Sequence, residues 1–133
     1  MDAINAILTR NTVPKLQAPA PSAEEMETLF QCAFRAPDHG RLRPWRFLTI
    51  EGTAREKLGE LFVAVKKQQG SELTEKEENK LLKNPFRAPM IVVAITHLQG
   101  HPKAPEIEQK LTVGAAVQNM MNGAHAMGYG AMC

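Results

Sequence analysis

A short segment from Arg35 to Trp45 concentrates basic side chains between a predicted helix and a predicted strand. The basic residues are Arg35, His39, Arg41 and Arg43, and two prolines within the segment restrict its backbone. A loop of this kind can hold several positive charges toward one anion. The alternative is a solvated basic connection between two elements, and the residue types by themselves leave both interpretations open.

A second polar cluster, formed by Arg10, Asn11 and Thr12, follows the first predicted helix. It offers a guanidinium, an amide and a hydroxyl group in consecutive positions. The planar fork of arginine donates two parallel hydrogen bonds to a phosphate, and threonine adds a neutral donor. Two separate clusters suggest a ligand with several polar ends, although Arg10 alone could also be a cation that stabilises the end of the helix.

Signatures of other common sites are missing from the sequence. It contains no G-x-G-x-x-G, no G-x-x-x-x-G-K and no G-x-S-x-G motif. Cys32 falls inside a predicted helix without an assignable base, which favours a small buried side chain over a nucleophile. His97 and His101, with Glu106 or Glu108, lack the spacing of a metal site and are interpreted as solvated. We therefore predict neither a catalytic side chain nor a metal site.

Hydrophobic periodicity and capping signals predict alternating helices and strands that would position these clusters. Helices are expected over residues 2–10, 22–35, 53–67, 74–83 and 106–127, and strands over residues 45–50, 90–96 and, as the start of a third, 129–133. Capping boxes formed by Ser22 with Glu25 and by Thr74 with Glu77 mark two of the helix starts. The continuous apolar run over residues 90–96 predicts a strand covered on both faces, so the expected architecture is a helix-sheet-helix sandwich.

The longest predicted helix, over residues 106–127, is apolar around more than half of its circumference. One stripe consists of Val113, Val117, Met120, Ala124 and Met127, and a second consists of Ile107, Leu111, Gly114 and Met121. A helix with two apolar stripes is either central in the fold or part of an interface.

The length and composition of the chain limit its class. Its 133 residues fit a single domain, and a net charge of +2 gives no general case for binding nucleic acid. Two cysteines far apart in sequence favour a reduced, cytoplasmic protein. Residues 111–133 carry no Lys, Arg, Asp or Glu, but their amides and glycines argue against a membrane span. Because the chain ends in an apolar run, we expect it to be the N-terminal portion of a longer domain.

Four motifs occur in a fixed order along the chain. They are Arg10-Asn-Thr, Arg35-Ala-Pro-Asp-His39, Arg43-Pro-Trp45-Arg-Phe and Asn84-Pro-Phe-Arg-Ala-Pro89. In this order they resemble the small FMN-dependent nitroreductases of bacteria, above all the minimal-length NAD(P)H nitroreductases, and the resemblance extends over the entire chain. It implies an α+β fold and a homodimer with two FMN molecules at the subunit interface. The implied reaction is ping-pong transfer of hydride from NADH or NADPH to nitro compounds, quinones or similar small-molecule acceptors.

The resemblance also implies roles for individual residues. Arg10, Asn11 and Thr12 match the first flavin-binding motif. Arg35 and His39 match the second, which serves the flavin bound mainly by the other subunit. A nicotinamide-binding segment is matched by Gly123, Ala124, His125, Ala126, Met127 and Gly128, and the beginning of a third flavin motif is matched by Cys133.

The sequence departs from the family pattern in three places. Asn11 replaces a second arginine and Thr12 replaces a serine, which keeps hydrogen bonding but removes one positive charge. Arg43 stands where a glutamine normally precedes Pro-Trp, so Arg41 and Arg43 receive no role from the resemblance. The family pattern continues past Cys133, and the part of the sheet that it supplies there is missing from this chain.

Two other functions stay open at the level of the sequence. The first is an anion- or nucleic-acid-binding module that uses Arg35, Arg41, Arg43 and Arg46, although interleaved aromatic residues typical of such surfaces are lacking. The second is an inactive fragment without the full flavin site, because a missing strand would leave an open sheet edge. The physiological acceptor and the choice between NADH and NADPH are not encoded in a recognisable motif.

Overall fold

The computed structural model describes all residues from Met1 to Cys133. Its helices are α1 (Ala3–Thr9), α2 (Ala23–Ala33), α3 (Ala54–Gln68), α4 (Glu75–Lys83) and α5 (Glu106–Ala126), its strands are β1 (Trp45–Glu51) and β2 (Met90–Thr96), and two 3-10 turns span His39–Arg41 and Asn84–Arg87. Each of these helices and strands was predicted, with ends that differ from the expected ones by no more than two residues. The predicted mixture of helices with a sheet is confirmed.

Both predicted capping boxes are present. At the start of α2, the Ser22 backbone N–H donates to Glu25 Oε2 at 2.8 Å and the Glu25 N–H donates to Ser22 Oγ at 3.2 Å. Thr74 and Glu77 make the same reciprocal pair at the start of α4. Each box satisfies backbone donors that the first helical turn leaves without partners, which explains why these helices begin where the sequence predicts.

The sheet has two strands, β1 and β2. They run antiparallel, since the N–H of His97, just after β2, donates to the carbonyl of Pro44, just before β1, at 2.7 Å. The prediction that β2 is covered on both faces is wrong for its second half, where Ala94, Ile95 and Thr96 are exposed. A two-stranded sheet leaves an edge on each strand, so an apolar run does not guarantee burial.

The predicted third strand over residues 129–133 is also wrong as a strand. Only Ala131 pairs, in a single parallel bridge with Thr12. Gly130 falls within this stretch, and glycine weakens extended pairing because it loses the most backbone freedom. The segment therefore forms an isolated bridge instead of a full ladder.

Contacts between Cα atoms divide the chain into two compact units. The first consists of residues 1–14, 21–48 and 93–133, and the second of residues 15–20 and 49–92. The expectation of one domain over residues 1–133 stays a prediction.

The core of the first unit lies between α2 and α5. Asn119 Nδ2 donates to the Cys32 carbonyl at 3.2 Å, and Thr112 Oγ1 donates to the Pro37 carbonyl at 2.8 Å. Later residues of the α2 region thus meet earlier residues of α5, which shows that the two helices are antiparallel. Ala116, which lies between Thr112 and Asn119 in α5, is completely buried.

The two apolar stripes of α5 have different environments. The first stripe is in the core, with Val113, Met120 and Ala124 buried. The second stripe is open, since Ile107 is 62% and Leu111 is 66% exposed. Within this chain, α5 is therefore buried along its first apolar stripe and exposed along its second.

In the second unit, α3 packs against α4 and the turn that follows it. A Cβ at Gly59 of α3 would lie 2.6 Å from the backbone oxygen of Leu82, so the two helices meet backbone to backbone there. Arg55 lies 4.6 Å above the Phe86 ring and donates to the Ala88 carbonyl at 2.9 Å.

None of the helices combines the length and the apolar character needed to cross a bilayer.

Candidate functional site

The cluster of Arg10, Asn11 and Thr12 lies beside the last residues of the chain. Thr12 forms the parallel bridge with Ala131, and the N–H of Val13 donates to the Ala131 carbonyl at 3.1 Å. Cys133 follows two residues later and is exposed. The bridge thus joins the first flavin-motif match to the segment that leads into Cys133, the start of the third.

A hydrogen bond joins the end of α1 to the last turns of α5. Thr9 Oγ1 and His125 Nε2 are 2.8 Å apart, and Thr9 Oγ1 also donates to the Asn5 carbonyl at 2.7 Å. Because a hydroxyl has only one hydrogen to donate, His125 is the donor to Thr9 and carries its proton on Nε2. This bond holds the segment over residues 123–128 next to Arg10.

The residues of that segment differ in their surroundings. A Cβ on Gly123 would approach Leu29 Cδ2 at 3.2 Å and Cys32 Sγ at 3.3 Å, so this glycine allows α2 to pack closely on α5. Ala124 is buried and Met127 is half-buried. Ala126 and Gly128 are exposed, and Gly128 ends the helix with φ 90°. Only part of the predicted nicotinamide segment is therefore open to a ligand in this chain.

Arg10 is the charged residue of the first cluster. Its side chain is half-buried, and its guanidinium makes no ion pair and no side-chain hydrogen bond within the chain. Asn11 and Thr12 are exposed beside it. An unpaired guanidinium with a neighbouring amide and hydroxyl is a donor set that fits the phosphate, or the polar ring edge, of a flavin nucleotide.

The second cluster lies on the loop after α2. Arg35 is exposed and its guanidinium has no partner, while His39 Nδ1 lies 2.6 Å from Glu108 Oε2 of α5. A carboxylate accepts, so Nδ1 carries a proton and Nε2 is left for another contact. The His39–Glu108 pair fastens the loop to the N-terminal part of α5.

The two clusters are far apart in one chain. The first is held at His125 and the second at Glu108, and these two positions are separated by about 25 Å of helix at 1.5 Å per residue. A single small ligand held by Arg10 would not reach His39 of the same chain. The structure therefore brings the predicted site residues into two groups and does not join them.

The loop between Arg35 and Trp45 is fixed by Asp38. Its carboxylate accepts the backbone N–H of Leu42 at 3.2 Å and that of Arg43 at 2.8 Å. Arg41 and Arg43 adopt positive φ values of 54° and 48°, which non-glycine residues rarely do. The carboxylate of Asp38 is thus engaged by the backbone, and the guanidinium groups of both arginines have no ionic partner.

An aromatic cluster adjoins this loop and was missed by the sequence analysis. Phe34 stacks on Trp45 with ring centroids 5.7 Å apart and planes 13° apart, and Phe30 and Phe47 complete the cluster. The spacing could have indicated it, because residues 30 and 34 share one helix face and residues 45 and 47 share one strand face. The basic residues of the loop are not interleaved with aromatic residues in the sequence, but folding places this aromatic cluster beside them.

The loop histidines do not form a metal centre. His101 Nδ1 accepts the backbone N–H of Lys103 at 3.2 Å. No three His, Cys, Asp or Glu side chains of residues 1–133 come close enough together to hold a metal ion.

A tyrosine and a glutamate connect the segment after α5 to the start of α2. Tyr129 Oη donates to Glu25 Oε2 at 2.8 Å. The backbone N–H of Ser22, followed by this hydroxyl, lowers the pKa of Glu25, and the same bond raises the pKa of Tyr129. The contact helps to hold the residues around Ala131 in place.

We expect Tyr129→Phe to raise the pKa of Glu25 toward its ordinary value. A carboxylate whose pKa is lower in the folded than in the unfolded state stabilises the fold above the unfolded pKa, and this stability is lost as the pH falls through the folded pKa. The difference in Tm between the wild type and Tyr129→Phe should therefore shrink as the pH falls below about 4. Carboxyl titration by NMR and thermal unfolding at several pH values check this.

Glu77 is the matched control for that experiment. Its pKa is lowered by Thr74 in the same capping geometry, but no tyrosine contacts it. Its titration should be unchanged in Tyr129→Phe. An equal shift at Glu77, or none at Glu25, would contradict the assignment.

Sequence comparison identifies the family. The pattern of the Nitroreductase family matches residues 7–133. The protein "Putative NAD(P)H nitroreductase YdjA" of Escherichia coli K12 is 34% identical over 130 residues, which cover 98% of this chain and 70% of YdjA. A "Putative NAD(P)H nitroreductase" of Haemophilus influenzae is 38% identical over 132 residues, which cover 97% of this chain and 70% of the relative.

Comparison of structures confirms the predicted nitroreductase-like α+β fold. A nitroreductase-like family protein from Bacillus cereus superposes with a TM-score of 0.79 at 22% identity, covering 98% of this chain and 67% of the other. The FMN-dependent nitroreductase NfnB of Mycobacterium smegmatis, solved in complex with NADPH, superposes with a TM-score of 0.71 at 17% identity, covering 95% and 71%. Family pattern, relatives and fold agree over nearly the whole length, and the chain belongs to the nitroreductase family.

Proposed function

We propose that this chain is an FMN-dependent oxidoreductase that transfers hydride from NAD(P)H to nitro compounds, quinones or similar acceptors by a ping-pong mechanism. The observation that carries the proposal is the unpaired, half-buried guanidinium of Arg10 beside Thr12. The Ala131 bridge and the His125 hydrogen bond hold this group next to the two segments that match the family's cofactor motifs.

The names of the relatives support the same chemistry. YdjA and the Haemophilus influenzae protein are both named as NAD(P)H nitroreductases, and NfnB is described as FMN-dependent. The identities of 34% and 38% over nearly the whole chain support NAD(P)H as the hydride donor of this protein.

Specific residues would hold FMN in this chain. Arg10, Asn11 and Thr12 would bind its phosphate or the polar edge of its ring, and Arg35 and His39 would add a second set of contacts. When bound, FMN supplies the capacity to accept hydride from a reduced nicotinamide and to give it to an oxidised acceptor. The side chains bind and orient the reactants, and we assign no general base.

A homodimer would explain the two separated clusters. Arg10 and His39 lie near opposite ends of α5, and the exposed stripe with Ile107 and Leu111 lies on the same helix. A second copy packed on this stripe would bury the apolar side chains. We propose that it also brings Arg35 and His39 of one subunit to the flavin held by Arg10 of the other. The exposed part of residues 123–128 would then face the nicotinamide.

Steady-state kinetics of the FMN-loaded protein test this function. NADPH or NADH oxidation should depend on a nitroaromatic acceptor, and double-reciprocal plots at several acceptor concentrations should be parallel, as expected for a ping-pong mechanism. Intersecting lines would contradict the mechanism. The absence of acceptor-dependent oxidation with both nucleotides would contradict the activity.

A further inference from the structure

The aromatic pair and the arginines of the loop after α2 line one open cavity of about 750 Å³. The lining includes Phe34 and Trp45, the arginines Arg41 and Arg43, and Asp38. We propose that Arg41 and Arg43, with Phe34 and Trp45, form a binding site for a flat aromatic anion. The inference rests on the proposed function and extends it: among the acceptors of the enzyme, the site selects those that carry a carboxylate.

The charges of the cavity favour an anion. Besides Arg35, which the proposed function assigns to the flavin, Arg41 and Arg43 give the lining two guanidinium groups without an ionic partner in the chain. The one carboxylate in the lining, that of Asp38, already accepts two backbone N–H groups. Arginines that no protein carboxylate neutralises are available to a ligand carboxylate, which they can bind through two parallel hydrogen bonds.

The aromatic side chains favour a flat ligand. Phe34 is 49% exposed although it is aromatic, and its ring is nearly parallel to that of Trp45. Offset stacking of a third ring on such a pair is a favourable aromatic geometry. A ligand with a ring and an acidic group would use both parts of the cavity at once.

The backbone holds the two arginines in this arrangement. Both have positive φ, and the Asp38 carboxylate fixes the peptide groups on either side of Leu42. Because the loop is already ordered by these bonds, binding an anion does not require it to fold first.

The apoprotein allows a direct binding test, since Trp45 is the only tryptophan of the chain. Titration with 4-nitrobenzoate should quench its fluorescence at lower concentration than titration with neutral 4-nitrobenzamide. R41Q and R43Q should each weaken 4-nitrobenzoate binding by about tenfold and leave 4-nitrobenzamide nearly unchanged, since each removes a hydrogen bond to a charged group. R46Q is the matched control, because Arg46 is exposed next to Trp45 but does not line the cavity. Equal losses in all three variants would overturn the site.

Two further measurements separate this inference from the proposed function. R41Q and R43Q should keep the FMN affinity of the wild type, and a parallel loss of flavin affinity would mean that the cavity serves the flavin and not an acceptor. In the loaded enzyme, kcat/KM for 4-nitrobenzoate relative to 4-nitrobenzamide should fall in both variants. If both acceptors are turned over and this ratio is the same in the variants as in the wild type, the inference is overturned while the proposed function stands. Anion binding by the apoprotein without turnover would overturn the function and leave the binding site intact.

Discussion

Replacing Arg10 or Arg35 by alanine should weaken FMN binding far more than replacing a lysine on the surface. A hydrogen bond to a charged group contributes about 1.5–3 kcal/mol, which corresponds to roughly a 10- to 150-fold change in Kd. Arg10 is half-buried and forms no ion pair within the chain. Its removal therefore takes a contact away from the ligand and leaves no protein carboxylate without a partner. Titration of the apoprotein with FMN, followed by flavin fluorescence, gives the Kd of each variant.

Lys67→Ala is the control for both arginine variants. Lys67 is exposed on α3 and pairs with Glu78 of α4 at 2.9 Å, a surface ion pair that contributes little to stability. Its FMN affinity should match that of the wild type. Equal affinity in all three variants would remove Arg10 and Arg35 from the flavin site.

Gly59→Ala should destabilise the protein although alanine is the better helix former. The added Cβ would lie 2.6 Å from the Leu82 backbone oxygen and 3.0 Å from its Cα, and backbone atoms cannot rotate away as a side chain can. Overpacking of this kind costs about 1–3 kcal/mol. It therefore exceeds the gain of about 0.5–1 kcal/mol that alanine brings to a helix interior. Urea unfolding measures the net change.

Ala64→Gly calibrates that experiment within the same helix. Ala64 is exposed on α3, so its replacement reports the difference in helix propensity without a packing term. We expect a loss of about 0.5–1 kcal/mol there. A gain of the same size in Gly59→Ala would show that α4 moves aside freely, contrary to the close contact between the two helices.

Local signals in the sequence were sufficient to predict the five helices and the two strands, although not that residues 129–133 form no strand. The capping boxes at Ser22 and Thr74 are formed as expected, because each depends on residues only three positions apart. Burial was harder to predict, since it depends on what covers a surface. The same apolar pattern lies in the core at Val113 and in solvent at Leu111, and the sequence of α5 does not distinguish the two.

The candidate site was predictable in its chemistry but not in its geometry. The donor types of Arg10 and Thr12 indicated an anion, and the ordered motifs indicated the family. The contact between Thr12 and Ala131 joins positions more than a hundred residues apart, and no short sequence pattern predicts it. The cavity beside Trp45 likewise arises only when α2 and β1 come together.

The absorption spectrum of the purified protein, after incubation with FMN and removal of free flavin, tests the flavoenzyme assignment most directly. We expect yellow protein that retains the flavin and is bleached when NADPH or NADH is added without oxygen. Colourless protein that takes up no FMN would contradict the assignment.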